Sequence, residues 1–352
     1  MTGIEREWVS LGAEAPHGSR QCQGLYVRPS SFGGGPRVAF LTAHYEVDFS
    51  EHYLGPLLAE RGFGFLGWNT RFRGNDAYFR LEPALVDVGA GVRWLRDVAG
   101  VDVVVLLGNS GGGSLMAAYQ ARATEELPAG DLYVSLNAHV GRPEVLTAWL
   151  DPSVVDEADP LSVDPALDMF DPRHGPPYDL SFVERYRSAQ EARNHRITAW
   201  VHEELERLDA AGARDRLFVV HRAWADLRFA DLTLDPSDRA PGCYAGDPRR
   251  ADHGPFGLIR ATTLRTWLSM WSLAESPARG ALHLPSVQVP SLVVQSLGDR
   301  GVFPGDARAV HVAIGAADKT LELVPGEHYF EDGTRPAVAD LLTDWVRGTL
   351  GP

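Results

Sequence analysis

The sequence predicts an α/β protein, a mostly parallel central sheet flanked by helices and interrupted by a mainly helical cap. Three observations predict it. Short apolar runs alternate with helical periodicity over residues 1–140. That rhythm stops over 141–285, where prolines crowd and apolar residues repeat at helical spacing. It resumes after Pro285 and runs to the end of the chain. The expected organisation is a core built from 1–140 and 286–352, with 141–285 inserted as the cap.

Each element follows from its pattern. Strands are expected at 7–12, 24–28, 38–41, 64–68, 101–107 and 132–137. Those at 38–41 and 101–107 are almost continuously apolar, as strands buried on both faces must be. Helices are expected between them at 52–61, 81–98 and 112–124, and the glycine-rich 30–36 reads as a surface loop. Within the insertion, Pro152, Pro160, Pro165, Pro172, Pro176 and Pro177 precede a long helix. Ser181 and Glu184 form a capping-box pair at its start, and Gly212 marks its end. A second helix is expected over 257–274, carrying Leu264, Trp267, Leu268 and Trp271. Beyond the insertion come a strand at 291–296, a helix at 305–314, a strand at 320–324 and a closing helix at 335–349. That last helix brings Val338, Leu341, Leu342, Trp345 and Val346 onto one face.

Composition removes several classes of function. With 352 residues, 44% of them hydrophobic, the chain can bury a large core. No apolar run approaches the roughly 20 residues that span a bilayer, and the opening residues lack a basic stretch followed by an apolar one. A soluble cytoplasmic protein is therefore expected. A net charge of −14 disfavours phosphate backbones and anionic membranes, so neither nucleic acid nor membrane is an expected partner. Cys22 and Cys243 lack metal-type spacing and read as two buried thiols. Lys319 is the sole lysine, so no phosphate-binding loop of the Walker type exists, and Schiff-base chemistry would fall to that residue alone. It sits in a polar stretch that reads as an exposed turn. No cofactor and no metal is expected; Asp48, Glu51 and His52 lie close in sequence, but their spacing fits no zinc motif and suits a helix start.

The most informative stretch is the buried strand at 101–107 followed by Gly108-Asn109-Ser110-Gly111-Gly112 and a helix. A serine pinned between strand end and helix start is thrust above the sheet on a strained turn. Flanking residues must be small there, and the helix directs its positive end at the serine. A dinucleotide turn would require a glycine at 116, which is Met116.

Downstream, the apolar run 290–298 ends in Asp299, with Pro304 nearby, and the run 321–327 ends in His328 before an amphipathic helix. In these motifs and their order, 1–140 and 286–352 resemble the α/β-hydrolase superfamily, in its serine-nucleophile branch. The resemblance implies Ser110 as nucleophile, His328 as base and Asp299 as the supporting acid. Rival histidines, His283 and His311, fall before a strand and inside a helix. The site after the preceding strand, where some relatives carry the acid, reads Asn137-Ala138-His139 and holds no carboxylate. The resemblance also implies an oxyanion hole. Its first donor is the backbone N–H of Gly111, and its second comes from the loop 41–46, at His44 or, with a one-residue shift, Tyr45. Arg73-Gly74 matches a structural turn of the family, and Arg71 and Arg73 are read as architecture.

Such a triad cleaves acyl bonds. A serine hydroxyl attacks well only when a base removes its proton, and the aspartate fixes the histidine tautomer. The expected reaction is cleavage of an ester-type bond (carboxylic ester, thioester or lactone) in a hydrophobic small molecule. Trp200, Trp224, Trp267, Trp271 and Phe229 of the cap read as core aromatics that also offer an apolar lining. The same triad serves C–C bond hydrolases, peptidases or amidases and acyltransferases. Dehalogenases and epoxide hydrolases of this fold use an aspartate nucleophile, against which Ser110 speaks. A ligand-binding protein of the same fold would normally have lost a triad member.

Overall fold

The computed structural model describes residues 3–13, 20–30, 35–255, 257–259, 261–331 and 333–351. The loop expected at 30–36 lies partly outside them. Contacts divide the chain into two units, one of 1–76, 81–140 and 280–352, the other of 77–80 and 141–279.

The first unit is built on an eight-stranded sheet: β1 (Ile4–Ala13), β2 (Arg20–Pro29), β3 (Val38–Thr42), β4 (Gly64–Asn69), β5 (Val103–Asn109), β6 (Leu132–Leu136), β7 (Ser291–Ser296) and β8 (Lys319–Val324). The spatial order is β1-β2-β4-β3-β5-β6-β7-β8. β1 and β2 pair antiparallel, as do β2 and β4, and every later neighbour is parallel. The helices are α1 (Leu54–Glu60), α2 (Leu81–Asp97), α3 (Gly112–Ala121), α4 (Pro304–Ala313) and α5 (Arg335–Leu350). Helix α3 is buried along nearly its whole length, from Gly112 to Gln120.

Strand periodicity sorts the core. Phe40, Val105, Leu107, Val134, Leu136, Leu292 and Val294 share one face of the sheet and pack with Leu54 and Leu58 of α1 and Val338, Leu342 and Val346 of α5. Truncating any one of these to alanine should cost about 2–5 kcal/mol. The parallel register aligns the carboxyl ends of β5, β6, β7 and β8, pairing Asn109 with Leu136, Leu136 with Val294 and Ser296 with Val324. Four successive loops therefore leave the same edge of the sheet, where α/β folds carry their sites. Lys319 opens β8 rather than standing in an exposed turn, and its Nζ donates to the carbonyls of Ile314 (2.6 Å) and Val312 (3.3 Å) at the carboxyl end of α4. The chain leaves this unit at Val140 and re-enters it at Gly280, whose N–H donates to the Val140 carbonyl at 2.8 Å.

The second unit contains helices Arg142–Trp149 and Leu180–Ala210. It is less purely helical than the sequence suggests. Two short antiparallel pairs are present, Val154–Asp156 with Asp159–Val163 and Leu217–Val219 with Ala261–Thr263. The helix expected over 257–274 is thereby corrected: Ala261-Thr262-Thr263 is extended, and helix begins only at Leu264, where Thr263 Oγ1 accepts from Thr266 N. The β-branched threonines favour the strand. The long helix is capped two residues earlier than its Ser181–Glu184 pair implies, since Asp179 Oδ1 accepts from Phe182 N at 2.8 Å. An aspartate in extended conformation ahead of the first turn takes precedence.

This unit holds its own core. Trp149 stacks on Trp224 at 4.7 Å and meets Phe229 edge-on at 5.2 Å. Trp267 Nε1 donates to Thr198 Oγ1 at 3.0 Å, Arg142 lies over Trp271 at 4.5 Å, and Trp200 meets Phe218 at 5.1 Å. The five aromatics singled out in sequence thus find partners within the unit. Arg222, at φ +58°, joins the carboxylates of Asp151 and Asp252 in the interior. Burial, then the Asp151 charge, holds the Asp252 carboxyl above the usual carboxylate range.

Candidate active site

β5 ends at Asn109 and α3 begins at Gly112, so the chain reverses through two residues. Ser110 takes the strain, with φ +56°, in a region most side chains avoid. Backbone bonds hold it there: its N–H donates to Leu136 O at 3.1 Å, and its carbonyl accepts from Gly113 N and His139 N, each at 3.2 Å. Two glycines make the turn possible. A Cβ on Gly108 would lie 2.4 Å from Gly113 Cα, and one on Gly112 would lie 2.5 Å from the Ala43 carbonyl. The second contact also shows that the loop after β3 runs against the turn.

The loops after β7 and β8 are fastened to each other by Leu297 N to Val324 O and Gly298 N to Gly326 O, both 2.8 Å. They bring Asp299 and His328 together. Asp299 Oδ1 accepts from the amides of Gly301 (2.9 Å) and Val302 (3.1 Å), while Oδ2 lies 2.6 Å from His328 Nδ1. Both side chains are almost wholly buried. An ionised carboxylate only accepts, so the proton lies on Nδ1 and Nε2 is the basic nitrogen.

Asn137, noted in sequence only for lacking a carboxylate, fixes this arrangement. At φ +43° beyond the end of β6, it donates from Nδ2 to His328 O at 2.8 Å and accepts at Oδ1 from Ser296 N at 2.7 Å. One amide thus ties β6, the end of β7 and the histidine loop. Its signal in sequence was the Asn-x-His following an apolar strand, which gives no hint of partners 159 and 191 residues away.

In the loop after β3, His44 Nδ1 accepts from the amides of Glu46 and Val47, each at 3.0 Å. Tyr45 turns inward, its hydroxyl 3.2 Å from Ser114 Oγ, which in turn donates to Gly111 O at 3.3 Å. The Tyr45 side chain therefore braces α3. Gly111 begins α3 in helical conformation at φ −55°.

Asp48, Glu51 and His52 do not form a cluster. Asp48 accepts from Ser50 N (2.9 Å) and Asn69 Nδ2 (2.7 Å) and pairs with Arg73, while Arg71 pairs with buried Asp87. Arg71 and Arg73 thus fasten loops, as read from sequence. His52 is buried between Tyr53 and Phe65, and its Nε2 lies 3.0 Å from Oδ1 of Asn109, whose Nδ2 donates to Leu136 O. Burial pushes its pKa down to about 4, reinforced by the Arg335 charge and opposed by the Asn109 hydrogen bond. Among the described residues, no three His, Cys, Asp or Glu side chains are grouped to hold a metal, and no helix is long and apolar enough to cross a membrane. Cys22 and Cys243 are buried free thiols.

Sequence reasoning missed Tyr329. Its ring meets His328 edge-on at 4.5 Å and lies 6.1 Å from that of Tyr53.

No family model matches the sequence, and no curated protein matches it. Solved structures do. The α/β hydrolase GrgF from Penicillium sp. sh18 is 13% identical, covering 97% of this chain and 96% of that one, with a TM-score of 0.56. The esterase domain of a Rhodothermus marinus protein is 14% identical over 99% of this chain and 100% of its own, with a TM-score of 0.51. Est1E from Butyrivibrio proteoclasticus is 12% identical over 96% and 98%, also with a TM-score of 0.51. At such identities the likeness is one of fold.

Proposed function

We propose that this chain, which has the α/β-hydrolase fold, is a serine hydrolase that cleaves an ester-type bond through an acyl-enzyme. The substrate would be a carboxylic ester, thioester or lactone of a hydrophobic small molecule. The observation that carries the reading is the buried His328–Asp299 pair at 2.6 Å, on loops that leave the same sheet edge as the strained Ser110. The Tyr329 ring, 4.5 Å from His328 and 6.1 Å from Tyr53, favours an apolar acyl or alcohol group.

Neutral His328 would take the Ser110 proton at Nε2 as Oγ attacks the carbonyl carbon. Asp299 would hold the tautomer and stabilise the imidazolium that forms. The oxyanion would be met by the Gly111 N–H at the positive end of α3 and by a second donor from the loop of His44 and Tyr45. Collapse would break the ester bond, with His328 returning its proton to the leaving group. A water molecule activated by the same histidine would then release the acid.

Intact-mass labelling with a fluorophosphonate tests this. Wild type should take up one equivalent, and Ser110→Ala and His328→Ala should take up essentially none. Turnover of a small activated ester should fall in Ser110→Ala by at least about 1000-fold. A folded wild type that neither labels nor turns over would overturn the proposal.

A further inference from the structure

We propose that His52 is a positioning residue for the nucleophile, acting through Asn109, an inference that rests on the serine-hydrolase reading above. The imidazole lies just ahead of α1 and is buried. It stacks on Tyr53 at 4.4 Å and on Phe65 at 5.5 Å, and Phe49 meets it edge-on at 4.8 Å. Three rings therefore hold its plane. Its two nitrogens face opposite partners. Nδ1 accepts from the Leu54 N–H at 3.3 Å, so the neutral ring carries its proton on Nε2, 3.0 Å from Asn109 Oδ1. Burial keeps the ring neutral down to a pKa of about 4. His52 thus donates to Asn109, and Nδ2 of that amide is turned the other way.

Asn109 is wholly buried at the end of β5, and its Nδ2 donates to the Leu136 carbonyl at 2.8 Å. That same carbonyl accepts from the Ser110 N–H at 3.1 Å. One oxygen at the end of β6 therefore holds both the nucleophile and the residue before it. The orientation of the amide is what His52 decides. Rotated by half a turn, the amide would set Oδ1 against the Leu136 oxygen and Nδ2 against the Nε2–H of His52. Acceptor would meet acceptor and donor would meet donor. The imidazole excludes that rotamer, because Leu54 fixes its tautomer. Ser110 sits at φ +56°, a conformation that persists only when its surroundings over-determine it. Removing the His52 donor leaves Asn109 Oδ1 without that hydrogen bond and frees the turn to relax. Asn137, the next residue along, carries the His328 loop, so a shift at Leu136 reaches the base as well.

His52→Phe keeps a buried ring and removes the donor, whereas His52→Gln retains an N–H for Asn109. Turnover of a small activated ester, per active site titrated with a fluorophosphonate, is measured beside the thermal midpoint. His52→Phe should lower kcat about 10-fold with KM within about 2-fold, and His52→Gln should restore most of the loss. Adding Asn109→Ala to His52→Phe should lower kcat little further, because both changes break the same link. If His52→Phe does not fold, Asn109→Ala alone, with the imidazole in place, should show the same fall. A kcat within about 3-fold of wild type in the folded variant would overturn the proposal. So would a His52→Gln as slow as His52→Phe, or losses that multiply in the double variant. A merely structural role would lower the thermal midpoint and leave kcat per titrated site unchanged. A wild type that fails to acylate at Ser110 would bring down the underlying reading as well, an outcome distinct from a normal wild type with unaffected variants.

Discussion

At the scale of single residues, His52 couples the site to stability. The folded chain holds this imidazole neutral to a pKa of about 4, whereas an unfolded chain protonates it near 6.5. Its contribution is therefore complete above about pH 6.5 and is lost as pH falls toward 4, a difference of about 3 kcal/mol. His52→Gln keeps a donor for Asn109 without the titration. Urea unfolding at pH 7, 5.5 and 4 should show wild type losing stability faster than the variant, and parallel slopes would refute the assignment. Such a residue is invisible in sequence, where His52 looks like any polar residue before a helix. The strained turn at Ser110 and the Asp299–His328 pair were legible because each of these residues follows an apolar strand in a short local motif. The burial of His52 comes from contacts that only the assembled sheet creates.

Among the elements, the carboxyl ends of β6 and β7 and the histidine loop after β8 depend on one amide. Replacing Asn137 by glycine keeps the φ +43° backbone available but removes the hydrogen bonds to Ser296 and His328. Displacing the imidazole should lower kcat about 10-fold or more, and the buried groups left unpaired should cost about 1–3 kcal/mol each. Ester turnover and the thermal midpoint should fall together; an unchanged kcat would make the amide purely structural. The strands of the first unit were readable because buried parallel strands are short apolar runs bounded by turns. The second unit was read less well. Its extended segments are three to five residues long and owe their form to a partner strand, as Ala261–Thr263 does to Leu217–Val219.

For the whole molecule, the neck between units sets what can be separated. Gly280 N–H meets the Val140 carbonyl at 2.8 Å, and Arg142 N–H meets the Ala278 carbonyl at 3.0 Å, so the outgoing and returning chains run as hydrogen-bonded neighbours. The inserted segment has adjacent ends, its own aromatic core and its own Arg222 clamp. Residues 141–279 expressed alone should show near-ultraviolet circular dichroism from ordered tryptophans and a cooperative thermal transition; a featureless spectrum would mean the segment needs the rest of the chain. Lysine placement has a practical corollary. The sole lysine opens edge strand β8, while the candidate site lies where the strands end, six residues or roughly 20 Å further along. Attached to a solid support through that side chain, the protein would hold the candidate-site ends of its strands away from the support.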